Sequence, residues 1–413
     1  TIKSLLAAQA IPIRKLAADD PGVMALASRL SASRMAGLGE ATHGSHEDAL
    51  LKSLLIQAMV EHHDLRVVLL EANRTGTAGL DDYASGGPTG LLAAEAVKQA
   101  PVFRLLKTEV RAALLTWLRG WNAVNADRRV RVFGIDCQDS STDASAALAA
   151  LAAVQPDAAK MLTEPLAPLL TKEARATRHD LLVKQITSAQ RLEAETACRT
   201  LEAELARAGL TDAALTARRA WQGLNAFEHE TSDGDMSLAT PDYWTRRDTF
   251  MGENALALAG AQKSVVWGHN MHVLGGRPTG EAEGFVPAGA VLREALGGEY
   301  AALVQDFGEA AFLAIAEDDD SADARPVEIR RSSRPGTLNA LLREASSSSA
   351  WFDLATLPEN SLVQSWRSTP LGYDWYGARA SIEPQEADIR RAAPENLMDI
   401  MVFHSRLTPS RML

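Results

Sequence analysis

Cysteine is nearly missing from this chain. Cys137 and Cys198 are the only two in 413 residues, which argues against a disulfide framework and against a cysteine-based zinc site. No run of 18 or more apolar residues occurs, so no segment is built to cross a membrane as a helix. Positive charge is also short: 42 Lys and Arg stand against 53 Asp and Glu, a formal net charge of -11. Nucleic-acid binding is dominated by Lys and Arg contacts to phosphate, so this balance argues against such a partner. A basic and apolar leader is missing at Thr1, and the expected location is the cytoplasm. Several sharp catalytic signatures are absent as well. There is no G-x-S-x-G elbow and no P-loop; His229-Glu230 does not continue to H-E-x-x-H; and GLGEAT does not complete G-x-G-x-x-G.

What is present is the composition of a globular protein, 46% hydrophobic and 23% charged, enough to fill a sizeable core without staples. Residues 35–48, MAGLGEATHGSHED, read as a strand, a glycine-flanked turn carrying Glu40 and His43, and a helix whose apolar positions (Leu50, Leu51, Leu54, Leu55, Ala58) recur at helical spacing. Val67, Val68, Leu69 and Leu70 form the continuous apolar run of a buried parallel strand that ends on Glu71. Gly86, Gly87 and Pro88 then break the chain. Residues 105–125 predict an amphipathic helix with Val110, Leu114, Trp117, Leu118 and Trp121 on one side. The next strand, RVFGID, delivers Asp136 at its end.

Residues 141–230 are rich in Ala, Leu, Glu and Arg, predict a helical insertion, and include one long helix over 172–208. Pro241 opens a further helix; Val265, Val266 and Trp267 then run into Gly268, His269, Asn270 and His272. Residues 300–317 read as two strands joined by a glycine turn, Asp318, Asp319 and Asp320 as a solvated loop, and MDIMVFHSR as a last strand. Trp366, Tyr373, Trp375 and Tyr376 are candidates to line a cleft. The expectation is an α/β fold with a mostly parallel central sheet flanked by helices, one domain over 1–413 with the insertion inside it.

In such sheets chemistry gathers at the carboxyl ends of the strands. Four strand ends present Glu40 with His43, Glu71, Asp136, and His269 with His272. Each has a plainer reading: Glu40 or Asp136 as a cap, His43 as a turn residue, His269 and His272 as core histidines or as metal ligands sharing a helix face. Glu71 is harder to dismiss, because a buried carboxylate needs a partner. Together they point to one site whose environment tunes acids and imidazoles toward working pH. Arg74, Asp136 and Asn270, at or close to these ends in sequence, are candidates to hold substrate. Ser45 has no recognisable base or elbow for a nucleophile, and His62 and His63 suit the end of a helix.

These motifs resemble the erythromycin esterase family along nearly the whole chain. GLGEATHG, LLEAN, TEVRAALLTWLRGWN followed by VRVFGID, RRDTFMGENALAL, VVWGHNMHV and PENLMDIMVFHSRLTP occur in the family's order. The resemblance implies hydrolysis of a small-molecule ester or lactone, macrolide-like or another natural product, with His43 as the base that activates water. Glu40, Glu71, His269 and His272 are then the surrounding acids and imidazoles. It implies no cofactor. A divalent metal held by Glu40, His43, Glu71 and a histidine at 269 or 272 is the alternative catalyst; a biosynthetic role with non-hydrolytic chemistry is the alternative function. The chain departs from the family at Glu47, Asp48 and Ala49, where aromatics often follow the turn. It has Lys52 at the family's cationic position on the helix beyond and Leu54 where some relatives are basic; with the extra imidazole His46, these residues sit where the resemblance places substrate.

Overall fold

The computed structural model describes residues 1–87, 90–176, 179–226, 241–279, 284–319 and 324–413. Pro88, His229, Glu230 and Asp320, and the insertion beyond 226, fall outside the described residues. A ten-stranded sheet is the spine. Its main strands in chain order are β1 (Met35–Leu38), β2 (Val67–Asn73), β3 (Arg131–Asp136), β4 (Ser264–Trp267), β5 (Tyr300–Ala316), β6 (Val327–Ser332), β7 (Ala350–Asp353) and β8 (Ile400–Leu407). Across the sheet the order is β3-β2-β4-β1-β5-β8-β7. From β3 to β8 every pairing is parallel. Among the described residues of this sheet, only β7 and Ile11–Pro12 at one edge, and β6 on the far half of β5, run antiparallel.

The central strands are buried along their whole length, as expected where helices cover both faces. The flanking helices used below are α1 (Pro21–Leu30), α2 (His46–His63), α3 (Arg74–Ala84), α4 (Glu109–Val124), α5 (Ser140–Val154), α6 (Pro156–Leu170), α7 (Ser188–Arg207), α8 (Thr211–Ala226) and α9 (Pro241–Ala259). One hydrophobic cluster joins α1, α2 and α4 to one face of the sheet, and a separate cluster of Ala and Leu side chains holds α5 to α8 together. The mostly parallel sheet flanked by helices is therefore the observed architecture. His62 and His63 sit in the last turn of α2 beside Asp64, which caps the helix in the left-handed conformation at φ 63°.

Three expectations need correction. The strand pair over 300–317 is a single strand of 17 residues. Gly308 serves close packing there rather than a turn, because a Cβ at that position would press on Phe403 and the Ser405 carbonyl. The long helix over 172–208 is broken: Lys172–Ala176 and His179–Gln185 precede α7, which starts afresh at Thr187. Thr187 and Gln190 form a reciprocal capping box there, a start signal inside a helix-like composition. Finally, Trp366, Tyr373, Trp375 and Tyr376 are buried in the core around β5, β7 and β8 and are not among the residues that line the cleft beside Glu40 and His43. Trp366 instead borders a cavity at the opposite end, next to Asp399 and Arg293.

Candidate active site

Because β4 lies between β1 and β2, the polar ends of all three strands meet. The turn after β1 is wedged into place at two glycines. A Cβ on Gly39 would collide with the Asn270 side-chain oxygen, and one on Gly44 with the Leu313 backbone. Only glycine lets the turn pass this close to its neighbours, and that fit carries Glu40 and His43 to the rim.

Glu40 is 1% exposed. One oxygen lies 2.6 Å from His43 Nδ1. The other meets Lys52 Nζ at 2.5 Å, accepts the Trp267 indole N–H at 3.1 Å, and is 4.0 Å from Arg111 Nη2. Burial alone pushes this carboxyl up, but Lys52, His43 and Arg111 outweigh it and hold the group well below the usual carboxylate range. A permanent carboxylate against Nδ1 accepts, so Nδ1 carries the ring's proton and Nε2 is left as the basic atom. His43 Nε2 stands 3.9 Å from Glu71 Oε1.

Glu71 is held by three groups. It accepts the His269 backbone N–H at 2.8 Å, meets His272 Nε2 at 3.0 Å, and receives Arg247 Nη2 at 3.3 Å. Burial opposes its ionisation, yet His272, His43 and Arg247 prevail and keep it a carboxylate. His272 Nδ1 lies 2.8 Å from Asp248 Oδ1. Burial opposes the imidazolium, but Asp248 and Glu71 raise this ring to about 10, so both ring nitrogens donate. The 3.3 Å approach of Arg247 Nη1 to His272 Nε2 is therefore a contact of two donors, not a hydrogen bond. Arg247 is anchored by Asp136 through a two-pronged pair at 3.0 and 2.6 Å.

His269 behaves in the opposite way. Burial, helped by neighbouring His43, pushes its ring down to about 3, so it is neutral near pH 7. Its Nδ1 accepts the Met271 backbone N–H at 3.3 Å, which puts the proton on Nε2. That atom is buried without a hydrogen-bond partner, as is Arg111 Nη2. The His43 and His269 ring centres are 5.4 Å apart.

The structure thus gathers Glu40, His43, Glu71, His269 and His272 in one place. The residues expected to hold substrate are placed differently. Lys52 is fully buried under Glu40 and spends its ammonium there and on the Leu38 and Gly268 carbonyls. Asp136 is turned to Arg247, and Asn270 bridges both backbone groups of Gln305 at 2.7 and 3.1 Å. Arg74 lies over the Phe133 ring, 3.8 Å from Asp212. His46 and Ser45 start α2 and are outside the lining of the cleft. Sequence reasoning passed over Arg111, Arg247 and Asp248. Each sits on a helix of mixed charge, and the available signal was a charge on an apolar stripe: Arg247 is four residues from buried Tyr243 and from buried Met251.

Glu40, His43, Glu71 and Arg111 open onto a narrow cleft that runs between β2, β3 and α4. Among the described residues, no group of three or more His, Cys, Asp and Glu side chains is arranged to hold a metal.

The family model described as erythromycin esterase matches residues 60–407. No curated protein sequence matches the chain. Three solved structures share its fold. A Bacillus cereus protein superposes with TM-score 0.81 at 20% identity, over 100% of this chain and 98% of its own. A succinoglycan biosynthesis protein gives TM-score 0.82 at 16% identity, with the same coverage. A mutant of erythromycin esterase EreC in its open conformation gives 0.66 at 16%, covering 94% of each chain.

Proposed function

This chain belongs to the erythromycin esterase family, a membership that indicates ester hydrolysis, and from it we propose that the protein hydrolyses an ester or lactone by His43-assisted attack of water, without a covalent intermediate. The observation that carries this reading is the Glu40–His43 pair at 2.6 Å. It fixes the tautomer in which Nε2 is free to take a proton, and it does so at the mouth of the cleft. Water held between His43 Nε2 and Glu71 attacks the carbonyl carbon as its proton passes to Nε2. The oxyanion that forms is met by two donors with no other hydrogen bond, the neutral His269 Nε2–H and Arg111 Nη2. When the carbon–oxygen bond to the leaving group breaks, His43 returns the proton to the departing alkoxide. Glu40 is a positioning residue in this scheme; His272 and Arg247 keep Glu71 charged and in place.

The metal alternative is less well supported. Glu40 is occupied by Lys52 and Trp267, and both nitrogens of His272 face carboxylates, so two of the candidate ligands have no donor atom free for a metal. The test is a panel of esters and lactones, macrolides included, read by product mass, with and without a chelator. His43→Ala is expected to lower hydrolysis by about 10²–10⁴-fold, with chelation leaving the parent rate unchanged. Unchanged turnover of every ester by His43→Ala overturns the reading.

A further inference from the structure

The cleft has two chemically different ends. Four ionisable side chains, Glu40, His43, Glu71 and Arg111, stand at one of them. Beyond them the walls are hydrocarbon: Val68 and Val132 from the sheet, Leu80 from α3, Leu114 and Leu118 from α4, and Val97 from the short helix Ala93–Gln99. Apart from those four groups and the Trp267 indole, which is spent on Glu40, no lining side chain carries a polar atom. A substrate portion bearing hydroxyls or sugars would bury them there without partners, at about 1–3 kcal/mol each. A hydrocarbon chain loses nothing. The space is narrow: only about 40 Å³ is open to the centre of a water molecule, which suits a slender chain and not a bulky ring. The rim fits as well: Phe103 stays 38% exposed with its ring 6.0 Å from His43.

We propose that this apolar end is a chain-binding site, and that the substrate carries a linear hydrocarbon chain next to the scissile ester, laid along α4 while the carbonyl rests at His43 and Arg111. The site rests on the hydrolytic reading only for where the ester lies. Transfer of each methylene out of water is worth about fourfold in binding, so specificity should climb with chain length until the cavity is full.

The test compares p-nitrophenyl acetate, hexanoate and decanoate, which lengthen the acyl side, with hexyl and decyl acetate, which lengthen the alcohol side. Expected is a rise in kcat/KM of about fourfold per methylene followed by a plateau. A rise in either series supports the site and tells which side of the ester holds the chain; flat dependence in both series overturns it. Leu118→Trp, which fills the apolar end, is expected to lower the decanoate-to-acetate ratio about tenfold or more. That ratio is taken within one variant, so partial unfolding cancels; an unchanged ratio counts against the site. Calorimetric binding of methyl hexanoate and methyl decanoate to His43→Ala separates the two claims. Tighter binding of the longer ester with no hydrolysis by the parent leaves the chain site standing and removes the esterase reading. Hydrolysis without chain dependence does the reverse.

Discussion

Two buried histidine–carboxylate clusters flank the end of β1, and they behave differently. One is the Glu40, His43, Glu71, His269 and His272 group at the cleft. The other lies behind α2, where His404 Nε2 is 2.8 Å from Gln305 Oε1 and 3.6 Å from Asp48 Oδ1. Near the cleft, the carboxylates Glu40, Glu71, Asp136 and Asp248 are matched by Lys52, Arg111, Arg247 and protonated His272, so charge survives burial. The second cluster has no cation of its own. Burial there pushes Asp48 up to about 7, with Glu40 adding to the effect, and burial lowers His404 to about 4. The same residue types thus give a charged, poised site in one place and a largely neutral hydrogen-bonded strut in the other. Compensation and access make the difference, not the presence of histidine and acid.

This contrast can be broken experimentally. The largest effect is expected from Glu40→Gln. It removes the acceptor that fixes the His43 tautomer and leaves Lys52 buried without its carboxylate, so kcat/KM for a cleaved ester should fall about 10³–10⁴-fold; a loss under tenfold would show that the pair does not set the base.

Next is Arg247→Met, which takes the guanidinium from Asp136 and one of the three groups that hold Glu71. Denaturant unfolding should show a loss of about 3–5 kcal/mol, and a loss below 1 kcal/mol would mean the carboxylates are compensated elsewhere.

The third effect depends on pH. His272 is raised from 6.5 to about 10 in the fold by Asp248 and Glu71. Its stabilisation is therefore complete below about pH 6.5 and disappears as pH rises through about 10. Lys52, lowered by burial to about 8, acts oppositely above that pH, so the useful quantity is the stability gap between parent and His272→Asn. That gap should shrink steadily from pH 6.5 to 10; a constant gap contradicts a charged His272.

The smallest effect on activity should come from His404→Phe. It costs about 1–3 kcal/mol of stability by leaving Gln305 unsatisfied, while the rate of ester hydrolysis should change less than twofold. A large rate loss would erase the distinction between the clusters.

The sequence was legible where it used a simple pattern. A buried strand that ends in an acid or a histidine stands out, and Glu40, His43, Glu71, Asp136, His269 and His272 were all found this way. Charges on helices were harder to assign. Arg246 and Arg247 are adjacent and chemically identical, yet only Arg247 is buried against Asp136. Arg111, on the same turn pattern as Leu115 and Leu118, reads as part of an ordinary amphipathic face. Lys52 was expected to hold substrate because it stands at the family's cationic position on that helix, and nothing local reveals that α2 presses it flat on Glu40 and the Trp267 ring, 4.8 Å from its centre.

By itself, then, the sequence determined the alternation of strands and helices, the family, and the residues that stand at the strand ends. These follow from local periodicity and short motifs, which need no knowledge of distant neighbours. The tertiary structure decided which cation pairs with which carboxylate, which histidine is charged and which neutral, and where an apolar cleft opens beside His43. Those are properties of burial and of distances between residues far apart in the chain, and a protonation state is fixed by its surroundings rather than by the residue that carries it.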